Sequence, residues 1–337
     1  MDSVFMHIRK FQTLTLLCVA ALLIVGSACS SKKADLNQTL RENFQTPSNA
    51  PVLLAAYQPW FGRPGHINVG YNSQDPVLQQ KQIQHAKNLG IEAFVVNWYG
   101  GSHSFEDHAY ATMQQTALEN QFQTAIMYDE ASDDPQNSTS YVIDDLKYAY
   151  DHYIAANAPT QRAYLRFNGH PLIFIFPKGT FTDWNKVKQT VQQWDGQPLL
   201  IYKDIPKKYA GDFDGFYAWV NPGPHGWQHD GSNWGEEYLK EFYLRMNNEF
   251  PNKIAIGAAW PGFNDTKASW SRNRKMDARC GKTFEESLRL FRRYYPPERP
   301  LPYLMIDTWN DYEEGTAIEP GLANCRGESP QMAGATN

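Results

Sequence analysis

Eight short apolar runs, separated by amphipathic stretches, constrain this chain more than any other feature of it. They cover residues 52–57, 93–98, 124–128, 172–176, 199–202, 215–220, 254–260 and 303–308. Each is nearly continuous and bounded by turn residues, the pattern of strands buried on both faces of a parallel sheet. The stretches between them carry helical spacing. Asp75 and Pro76 offer an N-cap and a first-turn proline. Leu78, Ile83, Ala86 and Leu89 then mark one face, and Gly90 ends it. Thr283 and Glu286 spell a capping box ahead of Phe284, Leu288, Phe291 and Tyr295. Further helices are expected around 107–120, 139–155, 183–194 and 234–249. Such alternation, eight times over, predicts an α/β chain folded as a (β/α)8 TIM barrel. An open doubly wound sheet is the alternative, but no G-x-G-x-x-G or P-loop opens the first helix. Little chain follows the eighth run, so the last helix is expected to be short or missing.

The barrel is expected over 51–322, with a polar tether at 29–50 that includes a short helix near 36–44, and a flexible tail at 323–337. Residues 1–28 read as a signal peptide: His7, Arg9 and Lys10, an apolar run over 14–25, then small residues up to Cys29. Small residues ending in Cys resemble a bacterial lipoprotein box with Cys29 lipidated. Ordinary cleavage nearby and an uncleaved anchor are the alternatives, although the run is shorter than the ~20 residues a spanning helix needs. The expectation is export to the bacterial periplasm or cell surface, with a lipid anchor holding a soluble, monomeric domain at the membrane. Cys280 and Cys325 are the cysteines left in the mature domain, and an oxidising compartment permits their disulfide. A net charge of −5 with interspersed signs leaves no basic patch for nucleic acid. His103, Glu106, Asp107 and His108 match no metal-ligand spacing, so neither metal nor cofactor is expected, and His103 is read as shaping a loop or touching substrate.

In a barrel of this kind chemistry sits where strands end at their C-terminal side. Those ends change from aliphatic to aromatic and polar: Tyr57 and Trp60; Asn97, Trp98 and Tyr99; Tyr128, Asp129 and Glu130; Lys203; Tyr217 and Trp219; Trp260; and Trp309. Any one ring is ordinarily core packing. The recurrence has the make-up of a carbohydrate cleft, with ring faces for sugar C–H groups and acids and amides for hydroxyls. Cleaving a glycosidic bond takes two carboxyl groups in different roles. Asp311 and Glu314, three residues apart after the eighth strand, can face one cleft, and Glu313 between them points elsewhere. A solvated acidic turn is the bland alternative. The loop 221–234 is read as a wall of the cleft, and Arg272 and Arg274 either as substrate ligands or as a solvated basic turn.

Five motifs in order resemble glycoside hydrolase family 99 and the related family 71/99-like proteins. They are YQPWFG at 57–62, VVNWYGG at 95–101, YLRFNGHPLIFIF at 164–176, WPGFNDT at 260–266 and WNDYEEGTAIEP at 309–320. The resemblance implies a (β/α)8 barrel acting on α-mannosides within glycans, with retention through a 1,2-anhydro sugar. By position, Asp311 takes the proton of the 2-hydroxyl and Glu314 protonates the leaving oxygen. Asp311 stands where family 99 has Glu, and Glu313 where it has His. WNDY is closer to family 71, whose members resemble α-1,3-glucanases. The expected substrate is therefore an α-linked polysaccharide or glycan, of α-mannoside or α-glucan type. A non-catalytic glycan-binding lipoprotein and a glycan-assembly glycosyl-transfer protein are the alternatives.

Overall fold

Continuous apolar runs need cover on both faces, and closing the sheet on itself supplies it. In the computed structural model eight parallel strands do so: β1 (Val52–Tyr57), β2 (Ile91–Trp98), β3 (Gln123–Asp129), β4 (His170–Phe176), β5 (Leu199–Lys203), β6 (Gly215–Tyr217), β7 (Ile254–Ala259) and β8 (Tyr303–Ile306). Each strand pairs in parallel with the next. The closing pair is β8 with β1, in the register Leu54 to Met305. The structure describes residues 35–44, 50–101, 104–130, 133–296, 298 and 301–322. The expected signal peptide, Cys29, His103, Cys325 and the tail lie outside the described residues.

The helices are α1 (Leu36–Phe44), α2 (Pro76–Asn88), α3 (Ser104–Glu119), α4 (Ser138–Ala149), α5 (Trp184–Val191), α6 (Glu236–Asn248) and α7 (Lys282–Tyr294). Asp75 caps α2 as expected, its side chain accepting the Val77 N–H at 2.8 Å. The capping box at α7 does not form. Gly281, at φ 91°, precedes the helix without a side-chain cap. Thr283 Oγ1 instead donates to the Asp277 carbonyl at 2.6 Å, and Glu286 pairs with Arg279 at 2.5 Å. Both side chains turn to the segment that leads into the helix. Among the described residues no helix lies between β5 and β6 and none follows β8. The stretch expected to be a tether contains α1, whose Leu36 and Leu40 are buried in the main core and which packs against α7.

Candidate active site

The turn after β8 is tied to the end of β1. Trp309 N–H donates to the Ala56 carbonyl at 2.7 Å. The Asn310 side chain accepts the Gln58 N–H at 2.7 Å and donates back to the Gln58 carbonyl at 3.0 Å. The Asp311 N–H reaches Thr308 Oγ1 at 2.8 Å, and its Oδ1 accepts the N–H groups of Glu313 and Glu314 at 3.1 and 2.8 Å. Asp311 thus holds the turn that carries Glu314, so the two carboxyls share one rigid element.

The four acids of this segment then part company. Asp311 stays in the turn, 2% exposed. Glu313 accepts His66 Nδ1 and the Ile67 N–H. Glu314 accepts Trp270 Nε1–H at 2.9 Å and lies 3.7 Å from Arg274 Nη2. Glu319 accepts protons from Gln82 Nε2 at 2.7 Å and from the hydroxyls of Tyr312 and Tyr71 at 2.8 and 3.2 Å.

Burial pushes the Asp311 carboxyl well above the usual carboxylate range, and the neighbouring charge of Glu314 pushes it further. Burial raises Glu314 too, but the Trp270 N–H and the Arg274 guanidinium oppose the shift. Asp311 has no cation beside its carboxyl among the described residues, and Glu314 has one. The cation beside Glu314 favours the anion there, although Asp311 too accepts two N–H groups that oppose its upward shift.

A second loop brings Trp270 and Arg274 into place, and Asp265 organises it. This buried carboxylate accepts the backbone N–H groups of Arg272 and Arg274, the Ser271 hydroxyl, and Arg274 Nε at 2.7 Å. Although burial opposes ionisation, these donors hold its pKa below the ordinary value. The Arg274 guanidinium lies 5.3 Å from the Trp227 ring and 5.1 Å from Phe263, which sets the 221–234 loop beside it. Arg272 contributes its backbone, and its side chain is exposed. Across the mouth, Lys178 pairs with Asp129 at 2.6 Å and lies over the Tyr99 ring. Lys203 sits 3.7 Å from the Phe176 ring centroid, its pKa lowered by burial.

Of the rings and amides expected to line a cleft, Trp60, Asn97, Tyr99 and Trp219 lie with these groups. Trp60 contacts His66, Tyr99 and Trp270. Tyr99 feels the charges of Asp129 and Asp311. The Asn97 Oδ1 is buried with no hydrogen-bond partner among the described residues. Trp219 packs edge-on to Phe176 at 5.4 Å.

The others are occupied within the protein. The Tyr57 hydroxyl donates to Gln82, Tyr128 to Asp145 and Tyr217 to the Ile175 carbonyl. Trp98 Nε1 donates to Asp107 with the ring stacked on Tyr148. Trp260 Nε1 donates to the Trp234 carbonyl, and Trp309 is fully buried against Phe94 and His85. Glu130 is likewise engaged within the protein. Its oxygens accept the N–H groups of Lys178 and Gly179 and the Thr182 hydroxyl, anchoring the loop after β4. Residues that the sequence did not single out are His66, Trp270 and Lys178. They stand in irregular loops, where spacing carries no signal.

Cys280 is disulfide-bonded, its partner outside the described residues. Among the described residues no group of three or more His, Cys, Asp or Glu side chains is placed to hold a metal ion.

No protein-family profile matches the chain, and no curated protein sequence does. Among solved structures it is similar to the GH99 endo-alpha-mannosidase from Bacteroides thetaiotaomicron in complex with bis-tris propane. That match has 20% identity over 80% of this chain and 86% of that chain, with a TM-score of 0.63. A second structure of the GH99 endo-alpha-mannosidase from this organism matches at 18% identity over 83% and 93%, also at 0.63. A glycoside hydrolase-like protein matches at 14% identity over 85% and 92%, at 0.57. At these identities the likeness is one of fold: this chain is built on the (β/α)8 scaffold that those structures share.

Proposed function

We propose that the chain is a glycoside hydrolase acting on an α-linked polysaccharide or glycan, of α-mannoside or α-glucan type, through Asp311 and Glu314. The observation that carries this reading is the pair itself. Two carboxyls stand on one rigid turn at the C-terminal mouth of a parallel barrel, in surroundings that separate their affinities for a proton. On this reading the roles are the reverse of those that the resemblance assigns by position. Asp311, holding the proton, donates it to the leaving glycosidic oxygen. Glu314, kept closer to its anion by Arg274 and Trp270, takes the proton of the attacking hydroxyl, whether of water or of the sugar. The raised pKa of Asp311 sets the alkaline limb of the rate profile, and that of Glu314 the acid limb.

The test starts from a screen of α-mannan, α-1,3-glucan and related α-linked polysaccharides. D311N and E314Q should each lower turnover of the responding glycan by about 10²–10⁴-fold. An activated glycosyl fluoride needs no proton on its leaving group, so D311N should recover on it and E314Q should not. Recovery by E314Q alone would exchange the roles. Wild-type turnover in both variants would end the assignment of the reaction to Asp311 and Glu314, and a wild-type chain that binds glycans without cleaving them would be a binding protein.

We further infer, from the amino-terminal pattern, that the chain is exported and anchored through a lipid on Cys29. C29S should then move the protein from the membrane to the soluble fraction. An unchanged distribution would discard the anchor.

A further inference from the structure

Glu313 lies between the two acids of the pair in sequence, but its carboxylate turns to another loop. Its side chain is 1% exposed, with Oε2 2.9 Å from His66 Nδ1 and Oε1 accepting the Ile67 N–H at 3.1 Å. An ionised carboxylate only accepts, so this contact places an imidazole proton on Nδ1. In the neutral ring Nε2 is then a lone-pair acceptor, and it has no partner among the described residues. The ring is held firmly. It stacks on Trp60 at 5.1 Å and 20° and meets Trp270 edge-on at 6.1 Å. Trp60 and Trp270 meet each other at 6.1 Å and 87°. Trp270, 41% exposed, is also the ring whose N–H reaches Glu314.

Three rings and the Glu314 carboxylate therefore form one continuous group, open to solvent at Trp270 and in part at His66, whose side chain is 15% exposed. Pinning the 62–75 loop to the turn would require only the Ile67 N–H. Fixing the imidazole as well, in one tautomer and between two indoles, prepares a hydrogen-bond acceptor beside a flat apolar surface. That combination suits a sugar, with C–H groups for the indole and a hydroxyl for the nitrogen.

We propose that His66 is a substrate-binding residue, whose Nε2 accepts a hydroxyl proton from a neutral sugar unit lying against Trp270 next to Glu314, with Glu313 as the positioning residue. The choice of ligand class rests on the glycoside reading of the site. H66N isolates the claim. The Asn amide N–H can stand where Nδ1–H does and keep its bond to Glu313, while Nε2 is gone.

The probes are α-1,3-mannobiose and nigerose. Long-range ¹H–¹⁵N NMR of the wild-type chain should show His66 protonated at Nδ1, with the Nε2 resonance moving as one disaccharide is added. H66N should unfold at the wild-type temperature and bind that sugar about tenfold more weakly. An Nε2–H tautomer, an Nε2 signal unmoved by both sugars, or equal binding by H66N would overturn the proposal. Turnover is read separately. Binding at His66 without cleavage would end the hydrolase reading and leave this one standing. Cleavage by H66N at wild-type KM would do the reverse.

Discussion

Asp307, just past β8, puts a fully buried carboxyl at the foot of the candidate site. Burial pushes its pKa well above the usual carboxylate range, against the pull of the Val220 N–H and with the charge of Asp204 adding to the rise. The folded chain holds this proton more tightly than the unfolded chain does. Its contribution to stability is complete below the unfolded value, ~3.9, and is lost as pH rises through the raised folded value. D307N removes the titration. Relative to wild type, the variant should gain unfolding temperature as pH increases, with the smallest gain in acid. Melts from about pH 4 to about pH 9 would show it, and a gap that does not vary with pH would refute the assignment.

At this scale the sequence was least legible. Trp98 turns away from the site while its neighbours Asn97 and Tyr99 lie in it, and Tyr128 turns away from the site that Asp129 lines. Side chains alternate along a strand. A strand buried on both faces carries no polar alternation to say which residues point inward.

At the scale of elements the pattern was far more informative, because burial on both faces is itself what makes an apolar run continuous. All eight runs became barrel strands, and α2 begins at the cap its Asp-Pro pair announced. What failed was whatever depends on contacts that no period or cap motif encodes. Thr283 and Glu286 spell a capping box yet bond to Asp277 and Arg279. The loop of residues 263–276 has no period at all. Its shape follows from the antiparallel pairing of Phe263 with Met276 and Asn264 with Lys275, and from one buried carboxylate, Asp265, gathering donors from residues 271–274. That gathering carries Trp270 to a glutamate 44 positions further along the chain. The carboxyl pair could be found in sequence because both members share a turn. Of the groups that tune it, Arg274 reads in the sequence only as a substrate ligand or a solvated turn and Trp270 not at all, since both arrive from another loop.

At the scale of the whole molecule, what shields the outer face of β8 decides the role of α1. A (β/α)8 barrel ordinarily shields its outer face with a helix after each strand, and among the described residues none follows β5 or β8. The helix that would follow β8 has α7 as its neighbour, and α1, entering from the other end of the chain, packs against α7. Leu36 and Leu40, 6% and 3% exposed, join the main core from α1. A helix that only linked an anchor to the barrel would have no reason to bury them. If α1 completes the shell, L36A and L40A should each lower the unfolding free energy by about 2–5 kcal/mol, the range for truncating a buried leucine. Denaturant unfolding of the purified chain would measure this. Losses no larger than about 0.5 kcal/mol, as for ordinary surface substitutions, would return α1 to the status of a tether.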